Sequence, residues 1–169
     1  MRILAIETAT EACSTALFDN GTLLDARHEV LGRGHAERLV PMIAELPGKG
    51  CAGEIRVSLG PGSFTGVRIG LAVARALGIA WHAQVRGYPT LALVAAIARG
   101  EAGGPVTVCM TGGHGEWFVQ DFDAGAIPAG AVASLAPEAA AARAVHPLIA
   151  GSKAAALGKL AQIEPSAVE

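Results

Sequence analysis

A row of small residues constrains this chain more than any other feature of its sequence. From position 62 onwards every fourth residue is small, and the row consists of Gly62, Gly66, Gly70, Ala74 and Gly78. Residues spaced by four lie on one side of an α-helix, and a glycine inside a helix costs about 1 kcal/mol relative to alanine. Several glycines in one row therefore predict that another part of the structure packs unusually close to this helix. The spacing leaves open whether that neighbour is the chain's own sheet or a helix of a partner protein.

The glycine-rich turn at residues 60–63, just before this helix, has a second interpretation. Free backbone N–H groups at a helix N-terminus can hold an anion, and the candidate contacts are Gly62, Ser63 and Thr65. Glu7 and Thr8 follow the first predicted strand, where actin-like ATPases place groups near the metal and phosphates of a nucleotide. The turn lacks the lysine of a P-loop. These residues are therefore compatible with two interpretations, a degenerate nucleotide site and the ordinary hydrogen bonding of a turn.

The order of the predicted elements indicates an α/β protein that repeats itself. Hydrophobic periodicity and turn signals predict the order βββαβαβα up to residue 102. The first two helices are predicted at His35–Leu46 and at about Phe64–Leu77. After a Gly-Gly-Pro hinge, two strands begin a shortened second copy. A helix at about Pro137–Ala144, a strand at Pro147–Ala150 and a last helix at Lys153–Ala161 complete it. We predict the duplicated, ribonuclease-H-like fold of actin, Hsp70 and sugar kinases (the ASKHA fold), with lobes at residues 1–102 and 103–169.

Composition argues against several classes of function. A net charge of −2 provides no positive field for holding RNA by its phosphates. The cysteines Cys13, Cys51 and Cys109 are odd in number and widely spaced, so we expect a reducing cytoplasm rather than disulfides. The five histidines include no pair at helical spacing, which predicts no metal site. The start of the chain lacks a secretory pattern, and the longest apolar run, Leu91–Ala98, is far below the ~20 residues that span a bilayer.

Three blocks of the sequence, in this order, closely resemble the TsaB (YeaZ-like) family. They are ILAIETATEACS at residues 3–14, HAERL at residues 35–39 and GPGSFTGVRIG at residues 60–70. The TsaB family is a non-catalytic paralogue of TsaD within the glycoprotease-like ASKHA proteins, and the resemblance spans about the first hundred residues. The His-x-x-x-His metal motif of TsaD does not occur in this sequence. The resemblance therefore implies a helper subunit and not the enzyme.

The resemblance also implies how such a helper works. Family members are needed for threonylcarbamoylation of adenosine 37 in tRNAs that decode ANN codons. They bind and stabilise TsaD through their first two helices, TsaE joins the assembly, and without TsaD the same surface forms a symmetric dimer. Contact with tRNA is expected only within the complex; no cofactor is expected to bind tightly, although ATP or ADP can lie at the interface with partners. The implied interface residues are His35, Leu39, Met42, Gly66, Arg68, Ile69, Gly70, Val73 and Ala74.

The chain departs from the family pattern in three places. Glu7 stands where TsaB proteins commonly carry aspartate, the segment Thr111–Glu116 replaces an Asp-Ala-Arg-x-x-Glu turn, and the second lobe is short. These departures affect the expectation of a ligand bound between the two predicted lobes more than the expectations for the first two helices. The alternative function is an actin-like nucleotide-binding enzyme or a glycoprotease-like peptidase. Tight Mg-ATP binding, or turnover that depends on Glu7 or Thr65, would favour that alternative.

Overall fold

The first unit of the structure, Met1–Thr90, is a five-stranded mixed sheet with two helices on one side. The computed structural model describes residues 1–143, 146–162 and 166–168. Within it the strand order is β3-β2-β1-β4-β5; β1, β2 and β3 are antiparallel, and β4 and β5 run parallel to β1. The bounds are Arg2–Glu7 (β1), Ala12–Asp19 (β2), Thr22–Val30 (β3), Glu54–Ser58 (β4) and Gln84–Tyr88 (β5).

Helices α1 (His35–Glu45) and α2 (Phe64–Trp81) cover the apolar side of this sheet. Alternation along β1 turns Leu4 and Ile6 toward the helices, where both are fully buried. Helix α1 continues through Pro41, and α2 extends past its predicted end at Leu77. The glycine at position 78 does not end α2, because it serves close packing instead, as described below.

The second unit, Leu91–Glu169, repeats the topology of the first. Its strands are Val106–Thr111 (β6), Trp117–Phe122 (β7), Ala133–Leu135 (β8), Leu148–Ala150 (β9) and Ser166–Val168 (β10). Their order, β10-β9-β6-β7-β8, and their antiparallel and parallel pairings match those of β5 to β3 one for one. The predicted duplication and the ASKHA fold class are confirmed. Strands β8 and β10 escaped prediction because three residues are too few to show a periodicity.

The remaining helices are α3 (Thr90–Ala102), α4 (Pro137–Ala141) and α5 (Ala154–Ala161). The predicted end of the fourth helix, Ala144, lies outside the described residues. Helix α3 packs Leu91, Ala95 and Ala98 against the sheet of the second unit. The two units therefore divide after Thr90, whereas we predicted a boundary after residue 102 at the hinge. The glycines of the hinge suggested a boundary after α3. The apolar side of α3 packs on the second sheet, however, and so assigns the helix to the second unit.

Among the described residues, α2 is the one helix that is long and apolar enough to cross a membrane by length and composition. It has 18 residues and a mean hydropathy of 1.3. Core helices of soluble proteins meet the same criterion, and α2 carries two arginines and packs its glycines onto the sheet. This helix therefore does not indicate a membrane protein.

Candidate partner-binding surface

The turn that follows β1 lies directly against the N-terminus of α2. A Cβ atom added at Gly62 would lie 2.1 Å from the carbonyl oxygen of Ala9, and one added at Gly66 would lie 2.0 Å from that of Thr8. Real Cβ atoms do not approach an oxygen so closely, so both positions require glycine. The Ser63 N–H donates to the Ala9 oxygen at 2.7 Å, which holds the turn and the helix together.

Hydroxyl groups complete this junction. The buried Thr8 hydroxyl donates to the Gly66 carbonyl oxygen at 2.8 Å. Ser63 is the N-cap of α2, and its Oγ accepts from the Gly66 N–H at 3.2 Å. An N-cap serine satisfies one of the free N–H groups of the first turn. The Thr8 hydroxyl and the Ser63 N–H therefore hold the helix onto the β1–β2 turn, and the Ser63 hydroxyl caps the helix.

The row of small residues faces the chain's own sheet along its whole length. A Cβ atom at Gly70 would meet the Thr8 hydroxyl at 2.4 Å, and one at Gly78 would meet Val85 at 2.5 Å. Ala74 is fully buried in the core between these two glycines. The own-sheet interpretation is therefore correct, and the close approach offsets the low helix propensity of glycine.

Six of the nine predicted interface residues are consequently buried inside the first unit. They are His35, Leu39, Met42, Gly66, Gly70 and Ala74. This corrects their assignment as partner contacts, because a side chain packed on its own sheet has no surface left for a partner. Of the other three, Arg68 is exposed, while Ile69 and Val73 are partly buried.

His35 has a structural position at the start of α1. Its Nε2 lies 3.1 Å from the Thr10 oxygen and 3.2 Å from the Ala12 oxygen, so it ties α1 to the β1–β2 turn. It is 6% exposed. This histidine, which the resemblance implied to be an interface residue, therefore serves the fold.

Apolar side chains remain exposed on the sides of α1 and α2 that point away from the sheet. Phe64 is 68% exposed, Ile79 is 79% exposed, and Val40 of α1 is 50% exposed. The Arg68 guanidinium carbon lies 3.5 Å from the centre of the Phe64 ring, which is a cation–π contact. Arg75 is exposed on the same helix. We call the set Val40, Phe64, Arg68, Arg75 and Ile79 the outer helix face.

A cleft of 470 Å³ opens where α1 and α2 begin. Arg33 and Glu37 line it from the α1 side, and Thr65 and Ile69 line it from α2. Gly34 is the N-cap residue of α1, offers no side-chain cap, and has a φ of 95°. Sequence reasoning missed Arg33 and Glu37, because a loop residue and an exposed residue in the first turn of a helix give no periodic signal for a cleft.

Glu7 lies at the end of β1 with both carboxylate oxygens engaged. The Ala9 N–H donates to Oε1 at 2.7 Å, and the Tyr88 hydroxyl lies 3.4 Å from Oε2 while donating to the Ile6 carbonyl oxygen at 3.0 Å. Burial raises the pKa of the Glu7 carboxyl, and the hydrogen bond from Ala9 opposes the shift. Burial also raises the pKa of the Tyr88 hydroxyl, with the Glu7 charge adding to it.

The five candidate residues for a nucleotide do not form one site. Thr8 and Ser63 hold α2, Gly62 is pressed against Ala9, and Glu7 is bonded within the end of the sheet. Two of the five, Ser63 and Thr65, line the cleft, and the Ser63 hydroxyl already accepts a hydrogen bond from the Gly66 N–H. Within residues 1–143, 146–162 and 166–168, no three His, Cys, Asp or Glu side chains come close enough to hold a metal ion.

The strand order and its repetition place the chain among actin-like ASKHA proteins. The structure of YeaZ from Pseudomonas aeruginosa matches it with a TM-score of 0.83 and 30% identity, over 99% of this chain and 83% of that one. A Ppx/GppA phosphatase from Aquifex aeolicus shares the fold, with a TM-score of 0.50 and 12% identity over 89% of this chain and 67% of that one.

The family follows from a match to the model described as TsaD, tRNA N6-adenosine threonylcarbamoyltransferase. It covers residues 28–164, well over half of the sequence, and the chain belongs to this family. TsaB of Escherichia coli is 43% identical over 100 residues, which are 56% of this chain and 43% of that protein. TsaB of Haemophilus influenzae is 40% identical over 82 residues, which are 46% of this chain and 34% of that protein. The match thus spans less than half the length of these curated relatives, and it confirms the TsaB/YeaZ resemblance.

Proposed function

We propose that this chain is a non-catalytic subunit in the biosynthesis of threonylcarbamoyladenosine in tRNA. Its relatives carry the name of biosynthesis proteins, which supports the pathway. The internal hydrogen bonds of Glu7, Thr8 and Ser63 support a role without turnover, because these groups are already committed to the fold. The modified residue would be adenosine 37 of ANN-decoding tRNAs, with the chemistry performed by the partner.

The partner in this proposal is a TsaD protein bound on the outer helix face. The observation that carries the proposal is the exposure of Val40, Phe64 and Ile79 on two neighbouring helices. A partner that lies along both helices could cover all three side chains, and burying them gains about 25 cal/mol per Å². The buried residues of α1 and α2 would then support this face without touching the partner.

The other partners follow from the same role. We propose that TsaE joins the assembly, that ATP or ADP binds only at an interface with partners, and that the chain pairs with itself when TsaD is absent. The net charge of −2 supports tRNA contact only within the complex. The whole assembly would work in the cytoplasm.

Co-expression with TsaD from the same organism tests this proposal. Light scattering on the purified species should give the mass of a one-to-one heterodimer. Ile79→Asp should weaken the heterodimer at least ten-fold, because burying an unpaired carboxylate in an apolar contact is costly. Binding that Ile79→Asp leaves unchanged would refute the outer helix face as the interface.

A matched variant controls for the new charge. Ile127 of the second unit is 63% exposed and does not belong to the outer helix face. Ile127→Asp should leave the heterodimer unchanged, and circular dichroism should show that both variants are folded.

A further inference from the structure

Helix α2 presents positive charge without negative charge. Its 18 residues include Arg68 and Arg75 and contain no aspartate or glutamate. Both arginines are exposed, and neither forms an ion pair within the described part of the chain. They lie seven residues apart, which is about 10 Å along one side of the helix. Their charges are therefore available to whatever covers the outer helix face.

The charges of α1 are largely satisfied within the first unit. The Arg38 Nε donates to both carboxylate oxygens of Glu29 at 2.9 Å, and its Nη1 donates to Glu45 at 2.6 Å. Arg27 adds a second contact to Glu45 at 3.4 Å. The acid of α1 outside this network is Glu37, which lines the cleft together with Arg33. Helix α1 therefore offers little negative charge to offset the arginines of α2.

The contact between Arg68 and Phe64 places charge beside an apolar anchor. With the guanidinium over the ring at 3.5 Å, a partner that buries Phe64 also removes water from Arg68. A desolvated charge without a partner is strongly unfavourable. A protein that covers this face therefore has to supply acceptor oxygens for Arg68, and a carboxylate is the acceptor that also neutralises its charge.

We infer that Arg68 and Arg75 are specificity residues that select a partner helix bearing carboxylates over a second copy of this chain. The inference rests on the proposed function, since it assigns a charge to the partner of the same face. Symmetric pairing through α2 would bring the two arginines of each copy into one interface. Like charges in an interface suppress pairing, whereas opposite charges favour it.

Two measurements test the inference on the whole chain. The first is the self-association constant from sedimentation equilibrium of the chain alone at low salt, with Arg68→Gln/Arg75→Gln compared with wild type. The second is the dissociation constant for the co-purified TsaD partner at about 50 and 500 mM salt. A control variant, Lys159→Gln, removes one exposed charge in α5 of the second unit.

The double variant is expected to change self-association and TsaD binding in opposite directions. The double variant should associate with itself about five-fold more tightly at low salt and bind TsaD about five-fold more weakly, which matches modest contributions from exposed pairs. Salt should weaken the wild-type heterodimer and have less effect on that of the double variant. A double variant with unchanged self-association, or a heterodimer that salt does not weaken, would overturn the inference.

The two proposals can fail separately. If wild type forms no heterodimer with TsaD, the proposed function fails, while the self-association of the double variant still tests the charge effect. If the heterodimer forms but ignores both arginines, the charge inference alone fails. Lys159→Gln should leave both constants unchanged.

Discussion

At the scale of single residues, the contacts of Gly66 and Gly62 limit what this chain tolerates. The carbonyl oxygens of Thr8 and Ala9 occupy the space that a side chain would need. Both oxygens belong to backbone, so neither can swing aside as the end of a flexible side chain can. The glycine-rich block is therefore a packing requirement before it is a ligand site.

Gly66→Ala should lower the free energy of unfolding by about 3 kcal/mol, because the new methyl group would force the β1–β2 turn away from α2. Urea unfolding followed by circular dichroism measures this change. Gly100→Ala is the matched control, since Gly100 lies in α3 with nothing within 4 Å of an added Cβ. That variant should gain up to about 1 kcal/mol from helix propensity. Equal effects of the two variants would contradict the packing argument.

Glu7 should make stability fall as pH rises above the ordinary pKa of a glutamate. Burial raises the pKa of this carboxyl in the folded state, so the folded state holds a proton that the unfolded state releases. Its stabilising effect is complete below the unfolded pKa and is lost as pH rises through the folded one.

Measuring the unfolding free energy of wild type and Glu7→Gln from about pH 4 to pH 8 isolates this contribution. The wild-type value minus the variant value should decrease over that range. The difference between the two proteins is needed because Asp25, Glu29 and Glu45, whose pKa values are lowered by arginine contacts, act in the opposite direction at low pH. A constant difference would mean that Glu7 does not titrate differently on folding.

At the scale of elements, α1 and α2 each have one side for the core and one for solvent. On α1 the neighbours Leu39 and Val40 are 0% and 50% exposed. Leu39→Ala should cost about 3 kcal/mol of unfolding free energy by leaving a cavity, whereas Val40→Ala should stay within about 0.5 kcal/mol. Thermal unfolding of the two variants distinguishes the sides, and a large loss from Val40→Ala would contradict the orientation of α1.

Because α2 also has a buried and an exposed side, only substitutions on its exposed side can test partner binding. From spacing alone, a bulky residue at position 70 is a natural test of partner binding. In the structure Gly70 faces the Thr8 hydroxyl, so such a change would disturb the core and report on folding. Exposed positions such as Phe64 and Ile79 are the ones that report on a partner.

At the scale of the whole molecule, we predict weak nucleotide binding, because Glu7, Thr8 and Ser63 already form hydrogen bonds within the fold. A ligand that binds only the folded state raises the melting temperature. We expect that millimolar Mg-ATP shifts the melting temperature of the isolated chain by less than about 1 °C. A larger shift that Thr65→Ala abolishes, with an unchanged melting temperature without nucleotide, would revive the nucleotide-binding alternative.

The two units differ in how well the sequence predicted them. In the first unit, strands of five to nine residues and helices of 11 and 18 residues carry clear periodicities, and their order was predicted correctly. In the second unit, β8, β9 and β10 have three residues each. So short a strand is stabilised by its neighbours in the sheet and not by its own pattern, so two of the three were missed.

The sequence by itself determined the class of fold, the duplication, the family and the need for close packing along α2. These properties depend on local spacing, propensity and motif order, which are properties of the chain. The tertiary structure alone decided that the glycine row faces the β1–β2 turn and Val85, and that Phe64, Arg68 and Ile79 remain outside. Helical spacing shows which residues share a side, but it does not show what packs against that side, because the neighbour is set by contacts between segments far apart in the chain.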